Sequence, residues 1–178
     1  MNKTKDITQI AMMTAVICIC SWITIPSVVP FTLQTFAVFA VLEILGGKKG
    51  TISIALYILL GAIGLPVFSN FQGGIAKLLS STGGYIVGFL LTGLIYILLV
   101  RKENESVPVR VVAMLLGLVA VYVLGTVWFI HVYTKANGAV SLQTVLGWCV
   151  YPFIIPDLAK MAVAYFVGAR VKSALNKN

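Results

Sequence analysis

The charged residues leave five long uncharged stretches along the chain, at residues 7–42, 50–76, 78–100, 111–134 and 136–156. Their lengths are 36, 27, 23, 24 and 21 residues, and each stretch is predominantly apolar. An α-helix needs about 20 apolar residues to cross the hydrocarbon core of a bilayer. Every stretch is therefore long enough to supply at least one membrane-spanning helix.

Proline, glycine and charged residues set the predicted ends of these helices. The first stretch is too long for one helix, and Pro26 and Pro30 divide it in two. Residues 66–83 are rich in glycine and polar side chains, so an irregular connection is expected there. The pattern predicts one all-α integral membrane domain over residues 1–178, a bundle of six transmembrane helices at about 7–25, 34–46, 50–65, 84–100, 108–135 and 152–174.

The composition excludes a soluble globular protein. Apolar residues make up 60% of the chain and charged residues only 10%, whereas about 25% of residues are charged in soluble domains. The net charge of +8 would suit a nucleic-acid partner in a soluble protein. Here the basic residues form short clusters between apolar stretches, so the lipid bilayer and not nucleic acid is the expected partner.

The distribution of basic residues orients the bundle. Six helices place both termini on the same side, and the opposite side then receives only Lys77 and Lys135. The side of the termini receives ten basic residues: Lys3, Lys5, Lys48, Lys49, Arg101, Lys102, Arg110, Arg170, Lys172 and Lys177. Lysine and arginine are enriched in cytoplasmic loops. The sequence therefore predicts a multi-pass protein of the cell membrane, with both termini in the cytoplasm and residues 66–83 outside.

Enzyme chemistry has little support in the sequence. Residues 46–51 lack the spacing of a phosphate-binding loop, so ATP hydrolysis by that route is excluded. His131 has no nearby carboxylate in the sequence, and an interfacial position explains it. Cys18, Cys20 and Cys149 lack metal-ligand spacing and are expected to be buried small side chains. We expect no catalytic residue, no metal site and no cofactor.

Asp157 and Lys160 are the exception among the charges, because both lie in the last predicted helix, near its outer start. Their spacing of three residues puts them on one face of that helix. A charge at the centre of a bilayer helix costs about 2.5–3.5 kcal/mol on insertion scales, so both side chains should face a polar interior. Two explanations remain open. The pair either only neutralises itself, or it forms a ligand site in which the ammonium meets an anion and the carboxylate accepts N–H groups.

Glu43 is the other membrane-proximal acid. It lies within about one turn of Lys48 and Lys49, close to the cytoplasmic end of the second predicted helix. An interfacial ion pair with these lysines is the expected explanation.

Small residues recur at helical spacing in two pairs, Ala11 with Ala15 and Gly84 with Gly88. Such pairs allow a second helix to approach closely. Packing within the bundle explains them, and the first pair is alternatively a docking face for another membrane protein.

Six stretches together resemble BioY, the biotin-binding S component of energy-coupling-factor (ECF) vitamin transporters. They read PFTLQTFAVF at 30–39, LGGKKG at 45–50, YILLGAIGLPVF at 57–68, GG at 73–74, TGGYIVGF at 82–89 and PDLAK at 156–160. Their order and spacing, together with the acid and the lysine of the last helix, make the resemblance specific. Two positions depart from the family pattern, since Ser81 stands where proline is usual and Pro156 where glycine is common.

This resemblance implies an ECF S-component bundle that binds extracellular biotin and delivers it with a transmembrane coupling subunit and two cytosolic ATPases. It implies a transport subunit and not an enzyme, with ATP hydrolysis in the partner ATPases. It also implies that Ala11 and Ala15 form the small-residue motif that docks on the coupling subunit.

The same resemblance implies a biotin site whose members come from several of the predicted segments: Asp157, Lys160, Asn70, Tyr85, Phe71 and Gln34. On this basis Lys160 would pair with the biotin carboxylate, while Asp157 and Asn70 would bind the ureido group. Tyr85 and Phe71 would pack against the apolar part of the ligand.

Two alternative functions remain. A lysine and an acid do not by themselves name biotin, so an S component for another carboxylated vitamin is one alternative. A small membrane-embedded transferase is the other. It would need a catalytic histidine or paired carboxylates near the cytoplasmic face, and the sequence offers neither.

Overall fold

The structure is a computed structural model that describes residues 3–101 and 105–175. Its helices are α1 (Lys3–Trp22), α2 (Gln34–Ala62), α3 (Ile75–Leu79), α4 (Gly83–Leu99), α5 (Val107–Asn137), α6 (Leu142–Cys149) and α7 (Tyr151–Leu175). The two-residue strands β1 (Thr24–Ile25) and β2 (Phe31–Thr32) pair between α1 and α2, and a 3-10 turn covers Ser69–Phe71. The fold is thus helical, with its irregular segments between the long helices.

Helix α2 packs against α1, α4 and α7 and folds back on itself at Gly46. Gly46 has φ 75° and ψ 172°, a conformation that suits glycine because it has no Cβ. Eight residues of a straight helix span about 12 Å, yet a Cβ on Gly50 would lie only 3.0 Å from the Leu42 Cα. The two legs of α2 therefore form a hairpin. The predicted boundary between helices 34–46 and 50–65 falls at this break.

Some helix ends differ from the predicted ones. The first helix runs from Lys3 to Trp22 and not from 7 to 25, because β1 and β2 pair around the two prolines that follow it. The second leg of α2 ends at Ala62 and not near 65, since Gly64 has φ 105° and does not continue a helix. Helices α3 and α6 lie in segments that the sequence predicts to be connections between helices.

Glycines bring α4 and α5 into close contact. A Cβ on Gly84 would lie 2.3 Å from the Trp128 Cβ, and a Cβ on Gly88 would lie 3.0 Å from the Val121 Cα. Any larger residue at Gly84 would therefore push the two helices apart. The predicted packing role of Gly84 and Gly88 is confirmed.

The outer surface of the bundle is apolar, as in a membrane protein. Large apolar side chains such as Met12, Val127 and Phe166 are more than 60% exposed. Within the described ranges, three helical stretches are long and apolar enough to cross a membrane, and they are Gln34–Ala62, Val107–Asn137 and Leu142–Ala174. Helix α4 is apolar but shorter. The number of spans and the side of the termini stay predictions from the charge pattern.

Several of the basic residues that the charge pattern groups together lie at one end of the bundle. Lys49 pairs with Asp6 of α1 at 2.5 Å. Arg110, near the start of α5, reaches Glu43 in the first leg of α2. We call the end that contains these four residues the basic end. Two other members of the predicted group lie outside the described residues, namely Lys102 and Lys177.

Candidate functional site

A cavity lies among α2, α4, α5 and α7, away from the basic end. The side chains that carry its chemistry are Gln34, Tyr85, Tyr122, Phe153, Asp157 and Lys160. Gln34 and Tyr85 come from the first turns of α2 and α4, and Asp157 comes from the second turn of α7. The chain before α2 adds Pro30 and Thr32. The cavity therefore gathers residues that are far apart in sequence, including four of the six predicted site residues.

The inward face of α7 presents the two charges to this cavity. The buried positions of the helix include Phe153, Asp157, Lys160, Met161 and Ala164, which recur every three to four residues. Asp157 is 4% exposed and Lys160 is 9% exposed. Both charges thus lie on one helix face and inside the bundle, as their spacing predicts.

The Asp157 carboxylate is held by a hydrogen bond at each oxygen. Lys160 Nζ donates to Oδ1 at 2.9 Å, and the Tyr122 hydroxyl donates to Oδ2 at 2.8 Å. A buried carboxylate is tolerated when it is both paired and hydrogen-bonded. Tyr122 comes from α5, so this contact also ties α5 to α7 beside the cavity.

An aromatic cluster covers the ammonium of this pair. The Lys160 Nζ lies 4.1 Å from the centroid of the Phe31 ring, a cation–π distance. The Phe31 ring in turn contacts Phe153, with centroids 5.2 Å apart. Because Phe31 belongs to β2, the short hairpin before α2 places an aromatic ring directly over the charge.

The other predicted cavity residues are also held by polar contacts. Gln34 Nε2 donates to the Tyr57 hydroxyl at 2.8 Å, and Gln34 is buried. The Tyr85 and Thr126 hydroxyls lie 3.5 Å apart, which joins α4 to α5. These contacts fix an amide and a tyrosine ring at the cavity wall.

Two predicted residues, Asn70 and Phe71, are not brought to the cavity. Both are exposed and lie in the 3-10 turn with positive φ, 58° and 55°. Phe71 stacks on Trp22 of α1, with ring centroids 5.2 Å apart. Their neighbour Ser69 lines the cavity instead. In α3, which follows this turn, partial burial lowers the pKa of the Lys77 ammonium.

Tyr122 and Phe31 are the site residues that sequence reasoning missed. Tyr122 is a hydroxyl in a mostly apolar helix, which is a weak signal, because tyrosine is common at such positions. Phe31 lies in the first stretch of the family resemblance but carries no polar group. Their roles depend on how α5 and the hairpin pack against α7.

A second buried ion pair lies at the basic end, and it corrects the expectation for Glu43. Glu43 is 1% exposed and pairs with Arg110, not with Lys48 or Lys49. The Tyr96 hydroxyl also donates to Glu43 at 3.1 Å. Glu43 faces the bundle interior, whereas the lysines follow the break at Gly46, and Lys49 pairs elsewhere. The ion pair of Glu43 with Arg110 therefore joins α2 to α5 inside the bundle, and Glu43 is not an interfacial residue.

The three cysteines and His131 are the remaining candidates for chemistry. Cys18, Cys20 and Cys149 are free thiols and buried, as expected. His131 is exposed. Over residues 3–101 and 105–175, no group of three histidine, cysteine, aspartate or glutamate side chains is placed to hold a metal ion.

Comparison with known proteins gives one consistent result. The chain matches the model of the BioY family over residues 1–177. It is 40% identical over 170 residues to the biotin transporter BioY of Thermotoga maritima, with 94% of this chain and 96% of that protein covered. It is 34% identical over 177 residues to the biotin transporter BioY2 of Lactococcus lactis subsp. cremoris, with coverages of 98% and 94%.

A solved structure shares the fold. The crystal structure of the S-component for biotin from an ECF-type ABC transporter matches with a TM-score of 0.83 and 30% sequence identity. The match covers 97% of this chain and 94% of that one. The all-α membrane fold is therefore that of an ECF S component.

The two acids of the basic end provide a stability test. Glu43→Gln leaves Arg110 buried without a counter-charge, and breaking a buried pair in this way costs about 3–5 kcal/mol. Asp6→Asn removes a partly exposed pair with Lys49, which is worth less than about 1 kcal/mol. We expect Glu43→Gln to lower the thermal midpoint of the purified protein in detergent clearly more than Asp6→Asn. Equal thermal midpoints for the two variants would contradict a stabilising role for the ion pair of Glu43 with Arg110.

Proposed function

The chain belongs to the BioY family, and we propose that it is the substrate-binding subunit of an ECF-type transporter that captures extracellular biotin. The observation that most supports this proposal is the buried pair of Asp157 and Lys160 facing the cavity. Intramembrane ionisable residues are rare and usually mark a functional site, such as a substrate path or a proton relay. An ion pair that served only to neutralise its own charges would not be expected to line a cavity.

The chemistry of the cavity suits biotin. Biotin combines polar groups, a ureido ring and a carboxylate, with an apolar thiophane ring and aliphatic chain. The cavity offers a charged pair and the Gln34 amide together with the rings of Tyr85 and Phe153. Ligand sites of this kind are mainly apolar, with a few polar groups that fix orientation. Asn70 and Phe71 would join such a site only if the 3-10 turn moved inward.

The proposed setting is the cell membrane, crossed by six helices with both termini in the cytoplasm. The hairpin at Gly46 supports this count, because it supplies two antiparallel legs from α2. The chain has no phosphate-binding loop. Biotin delivery would therefore need a transmembrane coupling subunit and two cytosolic ATPases as partners, and the chain itself would not be an enzyme.

Helix α1 is the proposed docking surface for the coupling subunit. Ala11 and Ala15 are exposed on one face of α1, four residues apart. Small side chains allow the backbone of a partner helix to come close. Their exposure supports a role outside the bundle over one in its internal packing.

The biotin assignment is tested by equilibrium binding to the purified protein in detergent. Lys160→Ala and Asp157→Asn should each raise the Kd for biotin at least tenfold, because hydrogen bonds to charged groups contribute about 1.5–3 kcal/mol. Lys77→Ala, outside the cavity lining, should bind as the wild type does. Absence of biotin binding by the wild type, or displacement of biotin by an unrelated carboxylated vitamin, would contradict the assignment.

The docking surface is tested by enlarging its small residues. Ala11→Leu combined with Ala15→Leu should abolish assembly with the coupling subunit and biotin uptake, while biotin binding by the isolated subunit stays unchanged. Ala162→Leu on the exposed face of α7 is the matched control and should assemble normally. Co-purification with the coupling module measures assembly. Intact assembly of the double variant would exclude this face of α1.

A further inference from the structure

We propose that Tyr57 and Ser21 are positioning residues for Gln34, so that the Gln34 amide offers its carbonyl oxygen, and not its N–H groups, to the ligand. Of these three side chains, which we call the polar relay, only Gln34 is among the described residues that line the cavity. The proposal rests on the proposed function, because its effect is measured on the binding of biotin.

The first step of the polar relay joins the two legs of α2. Gln34 begins the first leg and lines the cavity, whereas Tyr57 lies in the second leg and is fully buried. Gln34 Nε2 donates to the Tyr57 hydroxyl at 2.8 Å. One end of the Gln34 amide is thus held by a side chain that lies outside the cavity lining.

The Tyr57 ring is itself fixed by close packing. Phe68 meets it edge to face, with ring centroids 5.4 Å apart and an interplanar angle of 84°. Phe68 is so close to Gly61 of the second leg that a Cβ there would lie 2.0 Å from the Phe68 Cζ. Both aromatic side chains are fully buried. The Tyr57 hydroxyl therefore stays in place beside Gln34 unless this part of the bundle repacks.

Ser21, near the end of α1, sets the direction of the hydrogen bonds in the polar relay. Its buried hydroxyl donates to two carbonyl oxygens, that of Cys18 at 2.8 Å and that of Val67. A carbonyl oxygen only accepts, and a serine has a single O–H. The Ser21 oxygen therefore has only lone pairs left for the Tyr57 hydroxyl, with which it interacts. It follows that Tyr57 donates its O–H to Ser21.

This direction determines how the Gln34 amide is turned. Because the Tyr57 O–H is used by Ser21, the Tyr57 oxygen accepts from Gln34, and Nε2 is the end of the amide that can donate to it. The carbonyl oxygen Oε1 is left. Among the described residues Oε1 has no hydrogen-bond partner, and it is not fully buried. The polar relay thus holds an unpaired acceptor at the cavity wall, which suits an N–H donor of the ligand and disfavours a carboxylate.

Tyr57→Phe tests the polar relay, since it removes the hydroxyl and keeps the ring. We expect the Kd for biotin to rise about fivefold, because the amide is then free to turn its N–H groups toward the cavity. Tyr96→Phe is the matched control, since it removes another buried tyrosine hydroxyl, the one bonded to Glu43 at the basic end. It should leave the Kd unchanged. A Kd for Tyr57→Phe within about twofold of the wild type would overturn the proposal.

A double-mutant cycle separates positioning from general packing. In a Gln34→Ala background, Tyr57→Phe should change the Kd for biotin less than about twofold, because Tyr57 acts through Gln34. The same rise in this background as in the wild type would show that Tyr57 acts on the cavity without Gln34, and would overturn its positioning role.

Ser21→Ala tests the direction of the hydrogen bonds. It keeps Gln34 and Tyr57 but frees the Tyr57 O–H to donate to Gln34 Oε1, which turns the N–H groups toward the cavity. We expect the Kd for biotin to rise about threefold. Ser53→Ala removes a buried serine hydroxyl that bonds to the Ile10 and Lys49 carbonyls, and it should leave the Kd unchanged. An unchanged Kd in Ser21→Ala would overturn the polar relay.

The Gln34 amide can also be followed without biotin. The chain has four glutamines, Gln9, Gln34, Gln72 and Gln143, so the side-chain amide signals of nitrogen-labelled protein are few, and Gln34→Ala identifies one by its loss. Tyr57→Phe should speed the exchange of the Gln34 amide protons with heavy water about tenfold, because their hydrogen bond is lost, whereas Tyr96→Phe should not. Unchanged exchange in Tyr57→Phe would overturn the polar relay. Slow exchange in a wild type that binds no biotin would instead overturn the proposed function.

Discussion

Buried charge in an apolar bundle is the constraint on which this structure depends. An unpaired ion in a low-dielectric interior is so costly that it is either neutralised or partnered. Among the residues that the structure describes there are two such pairs, Glu43 with Arg110 and Asp157 with Lys160. Each is completed by a tyrosine hydroxyl from another helix, Tyr96 or Tyr122. The charges therefore fix the relative positions of the helices that carry them.

The two pairs differ in what surrounds them. Glu43 is enclosed by protein, with Gly168 of α7 so close that a Cβ there would lie 2.6 Å from the Glu43 Cγ. Asp157 and Lys160 line a cavity, and the Phe31 ring lies over the ammonium. Because protein packs closely around the first pair, its role is structural. The cavity beside the second pair supports its proposed role in binding a ligand.

The limits of sequence reasoning are visible in particular residues. Asp157 and Lys160 are evident because charge in an apolar helix needs an explanation, and the break near Gly46 is evident from the glycines and lysines around it. The sequence predicts the wrong partners for Glu43, because spacing along a helix identifies only near neighbours and Arg110 is 67 residues away. Tyr122 carries no local signal, since its contact with Asp157 depends on how α5 and α7 pack. Asn70 came from family resemblance, and the turn that carries it is exposed.

The central claim is that Asp157 and Lys160 bind a ligand and are not kept only to hold the fold. The most direct test is the thermal midpoint, with and without biotin, of a double variant Asp157→Leu, Lys160→Met in detergent. Replacing a buried ion pair by apolar residues of similar volume is often neutral or stabilising. We expect the double variant to melt near or above the wild type without biotin and to gain no stability when biotin is added, whereas biotin stabilises the wild type. A double variant that is still stabilised by biotin as much as the wild type would contradict it.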